Sequence, residues 1–150
     1  MSGLYFEDFH EGQIFNHDWT RTVTEADNVL FCTMTMNPQP LHLDAHYAAT
    51  TEFRRPIVNS IFTLGLMIGM TVNDTTLGTT LGNLGMTDIR FPNPVFHGDT
   101  LRSRTTILHV RASQSRPQQG IVEFKHEAFN QDGRLVAECR RSALMKRRPQ

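Results

Sequence analysis

The residues able to do acid–base chemistry cluster in one stretch, Asn37-Pro38-Gln39-Pro40-Leu41-His42-Leu43-Asp44, with His46 close behind. A neutral imidazole, with an unperturbed pKa of roughly 6.5, can take a proton from water near working pH. His42 is therefore the candidate general base. Asn37 cannot act as a base, but its amide both donates and accepts hydrogen bonds and could hold a water. Asp44 has two readings: it orients His42, or it caps the helix that follows. Further on, Arg55-Pro56-Ile57-Val58-Asn59-Ser60-Ile61 enters the most apolar run of the chain straight after a proline, a common way into a helix. The first N–H groups of a helix lack intrahelical acceptors and sit at the positive end of its dipole. The Asn59, Ser60 and Ile61 amides, Ser60 foremost, are thus candidate donors to a negative charge that develops on an oxygen.

Other chemistries fit less well. His42, Asp44 and His46 invite a metal reading, since histidines four apart can share a helix face. The prolines place His42 in extended backbone, however, and no HExxH pattern is present. No metal is expected. Cys32 falls in an apolar helical pattern and reads as a small buried hydrophobe. His10, His17, His97, His109 and His126 are scattered through strand-like or turn segments and read as surface or structural residues.

Those candidates need a frame. Residues 13–22 have strand character. Thr24 with Glu25 and Asp27 gives a helix start, and the helix carries Val29, Leu30, Phe31 and Met34 before Asn37-Pro38 ends it. A short helix is expected from Ala45 to Phe53. The run 57–72 is apolar on nearly every face, which predicts a helix buried on all sides. Gly65 and Gly69, one turn apart, would admit a neighbouring backbone. Residues 73–85 read as a Gly/Thr-rich connection without the GK[ST] of a phosphate loop. Four strand-like segments follow (85–96, 100–110, 120–130, 135–145), separated by turn signals that include Asp132-Gly133, and they predict an antiparallel meander. The expected architecture is α+β, an antiparallel five-stranded sheet wrapped around a central buried helix at about 57–72, in a single domain over 1–150.

Composition narrows the partners. Lys+Arg and Asp+Glu are both 15, so the formal net charge is zero and nothing marks a nucleic-acid footprint. Zero net charge and exposed sheet edges favour self-association, so a homodimer or higher homo-oligomer is expected. Two distant cysteines without CxxC spacing suit a reducing compartment. The N-terminal stretch has no long apolar core, so no signal peptide is expected. The run 57–72 is shorter than the roughly 20 residues of a membrane span. The expected location is the cytoplasm.

Pro40-Leu41-His42-Leu43-Asp44, then Arg55-Pro56-Ile57-Val58-Asn59-Ser60, then Gly98-Asp99-Thr100-Leu101 resembles, in that order, the MaoC-like dehydratases, the (R)-specific enoyl-CoA hydratase group of the hotdog superfamily. The resemblance covers roughly residues 5–147 and also takes in Gly133 through Ala143. It implies a hotdog fold and a hydro-lyase that adds water reversibly to a 2-enoyl-CoA thioester. His42, Asn37, Asp44 and Ser60 would then be catalytic, with Asn59, Ile61, Arg55 and Arg90 binding substrate. The cofactor would be none beyond the coenzyme A of the substrate, whose phosphates would meet basic residues among Arg54, Arg55, Arg90 and Arg102. Two positions depart from the family pattern: Asn37 stands where its catalytic Asp is expected, and Asn59-Ser60 where it commonly has His-Gly. A branch with a similar NxQPLHLD stretch is associated with short branched dicarboxylic thioesters such as mesaconyl- or itaconyl-CoA. A hotdog thioesterase is the alternative, although no acid lies between Pro56 and Val72 to serve it. The amide at Asn37 also leaves a non-catalytic acyl-CoA-binding subunit open.

Overall fold

The computed structural model describes residues 3–149. Five strands, β1 (Ile14–Thr22), β2 (Thr80–Arg90), β3 (Thr100–Ala112), β4 (Gln119–Phe129) and β5 (Leu135–Lys146), form one antiparallel sheet in the order β1-β3-β4-β5-β2. Between β1 and β2 lie five helices: α1 (Glu25–Met34), α2 (Pro40–Leu43), α3 (Ala45–Ala49), α4 (Ser60–Gly69) and α5 (Val72–Thr75). The α+β arrangement of one sheet around a central helix is as expected. The meander is shorter than expected: β3, β4 and β5 run as consecutive hairpins, but β2 crosses to pair with β5 and β1 takes the open side of β3. β2 also begins inside the expected connection and stops before Phe91.

The central helix differs from the expectation in three respects. It starts at Ser60, because Ile57 bridges to Phe96 and Val58 N–H bonds Val95 O, which holds 57–58 extended. It stops at Gly69, with the separate turn α5 after it. It is not buried on every side. Thr63, Leu64, Met67 and Met70 face the sheet beside Val23, Leu101, Ala128 and Val136, whereas Ile61, Gly65 and Gly69 form an exposed stripe. A Cβ added at Gly65 or Gly69 would meet nothing within 4 Å, so no neighbouring backbone uses the room they leave. Ser103 Oγ bonds Met67 O and pins the helix to β3. A second apolar cluster of Phe9, Ile107, Val122, Phe124 and Met145 fills the other end of the sheet. The basic tail is held, with Arg147 and Arg148 paired to Glu7 and Asp8.

Candidate active site

α1 begins with a capping box: Thr24 Oγ1 accepts from Asp27 N–H and the Asp27 carboxylate accepts from Thr24 N–H. Burial alone would raise the Asp27 pKa, but the Thr24 backbone bond and Arg21 outweigh it and hold the pKa below the usual value. The helix ends in a Schellman motif. Met36 adopts φ 56°, Met36 N–H bonds Thr33 O, and Asn37 N–H bonds Cys32 O at 2.9 Å. That turn fixes Asn37, and its side-chain oxygen accepts from Gln39 N–H. A second non-glycine left-handed residue, Arg54, stands at the far end of the same loop.

The loop is helical where extended backbone was expected. Pro40 occupies the first turn of α2, so His42 sits in a helical turn. Its ring is aimed by Ile57: His42 Nδ1 lies 2.8 Å from Ile57 O, and Ile57 N–H bonds Leu41 O. A carbonyl only accepts, so Nδ1 carries the proton and Nε2 presents a lone pair, the tautomer a general base requires. Asp44 does not orient this ring. It is the N-cap of α3 and accepts from Tyr47 N–H at 2.9 Å.

The start of α4 is more selective than expected. The first intrahelical bond is Thr63 N–H to Asn59 O, which leaves the Ser60, Ile61 and Phe62 amides. Asn59 caps the helix and its Oδ1 takes the Ile61 N–H, while the Asn59 N–H is given to Asn28. Of the three expected donors, Ile61 and Asn59 are thus already used. Among the described residues the Ser60 N–H has no acceptor. Ser60 lines a cleft of about 250 Å³ with Phe53, Val58, Thr63, Phe91 and Val136, and Ile57, which orients His42, is part of the same wall.

Arg55 stacks on Phe96 at 3.9 Å, in a depression that shares Asn93 and Pro94 with the cleft. Arg90 is not brought there. It ends β2 among Asp88, Lys125, Glu138 and Arg140, while the cleft is lined by Phe91 to Val95, which follow it. Arg102 lies over Phe129.

Two residues were missed. Asn28 is fully buried in α1 and bonds both the His42 loop and the start of α4, and His97 Nε2 sits 3.0 Å from its amide. The signal was available: a carboxamide one turn before the apolar Cys32 puts a polar group on the core-facing stripe of α1, where it must find partners.

The chain is similar to known proteins in sequence and in fold. The family model described as "MaoC like domain" matches residues 8–129. The chain is 31% identical over 148 residues to a mesaconyl-CoA hydratase of Haloarcula marismortui, covering 97% of this chain and 41% of that protein. It is 32% identical over 125 residues to an (R)-specific enoyl-CoA hydratase of Rhodospirillum rubrum, covering 81% of this chain and 78% of that one. It superposes at a TM-score of 0.88 and 25% identity on a Mycobacterium tuberculosis protein with a double hotdog fold, covering 98% of this chain and 45% of that one. The chain therefore spans about two fifths of the length of the mesaconyl-CoA hydratases it matches.

Proposed function

From the premise that the chain belongs to the MaoC-like family, with the hotdog fold, we propose that it adds water reversibly to a 2-enoyl-CoA thioester. The single observation that carries this is the pairing across Ile57: His42 held with its Nε2 lone pair free, and the unpaired Ser60 N–H on the same short segment. His42 Nε2 takes a proton from water as the oxygen bonds to the β-carbon. The electron pair of the C=C bond shifts toward the thioester carbonyl, and the Ser60 N–H, at the positive end of α4, takes the charge on its oxygen. The proton then passes to the α-carbon, and dehydration is the reverse. Asn37 keeps its amide N–H groups for the attacking water while its oxygen holds the loop turn. The reaction needs no cofactor beyond coenzyme A, whose phosphates Arg55 meets from the neighbouring depression.

A short branched acyl group such as mesaconyl or itaconyl suits the size of the cleft and the name of the H. marismortui relative. A homodimer is the active form, and two free cysteines suit the cytoplasm.

The test is a panel of crotonyl-, mesaconyl- and itaconyl-CoA, read by loss of enoyl absorbance and by the mass gain of one water. His42→Ala should lower the rate by about 10²–10⁴-fold; full activity in that variant sinks the assignment. The amide at Asn37 favours one other reading, an acyl-CoA-binding subunit. It would show thermal stabilisation by acyl-CoA without turnover, and hydration only in Asn37→Asp.

A further inference from the structure

Asn28 lies in the middle of α1, with no accessible surface. Its Nδ2 is 3.1 Å from Ile57 O, 3.3 Å from His42 O and 3.0 Å from His97 Nε2. Its Oδ1 accepts the Asn59 N–H at 2.9 Å and faces the Cys32 thiol at 3.8 Å. An amide nitrogen can only donate, so His97 meets it with the lone pair of Nε2 and keeps its own proton on Nδ1. A buried carboxamide has to be satisfied somewhere, and any nearby backbone would do for stability. This one instead takes the carbonyl that aims His42, the carbonyl of His42 itself, and the amide one residue before Ser60. One rigid group thus bonds the backbone that carries and aims His42 on one side and the residue before the oxyanion donor on the other.

We infer that Asn28 is a positioning residue that sets the distance between His42 and the Ser60 N–H. The inference rests on the hydration reading for its kinetic consequence, but not for its structural one. Two groups that act on one substrate must be held to a fraction of an ångström, and a misplacement of about 1 Å can cost roughly 10²-fold in rate. Asn28→Asp is the informative change. It keeps the size and the acceptor for Asn59, but it sets a carboxylate oxygen against the Ile57 and His42 carbonyls, which repel it. The carbonyl that fixes the His42 tautomer then moves.

Two measurements decide the matter. With an enoyl-CoA substrate, Asn28→Asp should lose about 10²-fold in kcat with KM within a few-fold, at a temperature where the variant is fully folded. By ¹⁵N NMR, the His42 ring should be the Nδ1–H tautomer in the wild type and a mixture in the variant. A residue that only stabilises the fold would lower the melting temperature and leave both readouts unchanged, and that result overturns the inference. Should Asn28→Asp not fold, Asn28→Ala is read in the same two ways. A wild type that hydrates none of the thioesters overturns the proposed reaction alone, because the tautomer measurement needs no substrate. A wild-type His42 protonated on Nε2 overturns the clamp alone.

Discussion

At Ser60 the backbone donor can be deleted while the helix is kept. The residue occupies the first position of α4, where proline is well tolerated because its missing N–H has no intrahelical partner. The preceding residue, Asn59, has φ −56° and ψ 127°, the extended conformation that a following proline requires. Ser60→Pro should therefore fold normally, by far-UV circular dichroism, and lose about 10²–10³-fold in kcat as an oxyanion donor is removed. Ser60→Ala keeps the N–H and should retain most of the activity. If the proline variant turns over at the wild-type rate, the backbone donor lies elsewhere, and the other unbonded amide, Phe62, is next to be tested. At this scale the sequence put Ser60 foremost of three amides but gave no physical ground for the choice. Which amide is free depends on the side-chain oxygens of Asn59 and Asn28, each three-dimensional neighbours of a backbone group rather than sequence patterns.

Across the sheet, a second polar system explains histidines that looked unremarkable in sequence. Arg141 on β5 donates its Nε–H to His126 Nε2 at 3.1 Å, so His126 on β4 carries its proton on Nδ1 and gives it to Thr105 Oγ1 on β3. Thr105 donates in turn to His17 Nε2 on β1, and His17 Nδ1–H meets the Asp74 carboxylate at 2.7 Å. The chain crosses four adjacent strands with every proton direction set, from a guanidinium to a carboxylate. Burial, then the Arg141 charge, then His17 push the His126 pKa down to about 3. The unfolded chain therefore binds a proton that the folded one refuses between that value and roughly 6.5. The stability this contributes is complete above about pH 6.5 and is lost as pH falls toward 3, on the order of 5 kcal/mol in all. Thr105→Val removes the link and leaves two buried ring nitrogens unpaired, at a cost of roughly 3 kcal/mol. That should lower the melting temperature at neutral pH by about 6–12 °C; a shift within 2 °C would mean that the ladder contributes little. None of this was legible beforehand, because strand order is invisible in a sequence where β2 crosses to the far edge. The strands themselves were legible from alternation and turn residues, as was α1 from Thr24 and its acids. The single long helix was an overreading of hydrophobicity: Ile57, half-buried, and Val58, buried, pack as extended chain, and Ile61 is apolar while 57% exposed.

That exposed isoleucine raises the question of what the whole molecule does with its surface. The accessible surface is 8625 Å² for a mass of 17.1 kDa, about a tenth more than the roughly 7,800 Å² that a compact monomer of this mass presents. The apolar exposure is spread over α1 and its end through Leu30, Met34 and Met36, over the edge strand β1 through Ile14 and Trp19, and over the opposite edge strand β2 through Leu81, Leu84 and Ile89. An unpaired edge with leucines and no net charge to keep copies apart leaves little to oppose pairing with a second copy of the chain, and a dimer is the predicted outcome. Sedimentation at micromolar concentration should give twice the 17.1 kDa of one chain. Leu84→Lys, which puts a charge on that edge, should shift the protein to the monomer with its circular dichroism unchanged. A wild type that sediments as a monomer would show that the extra apolar surface stays open to solvent, and would remove the dimer from the proposed mechanism.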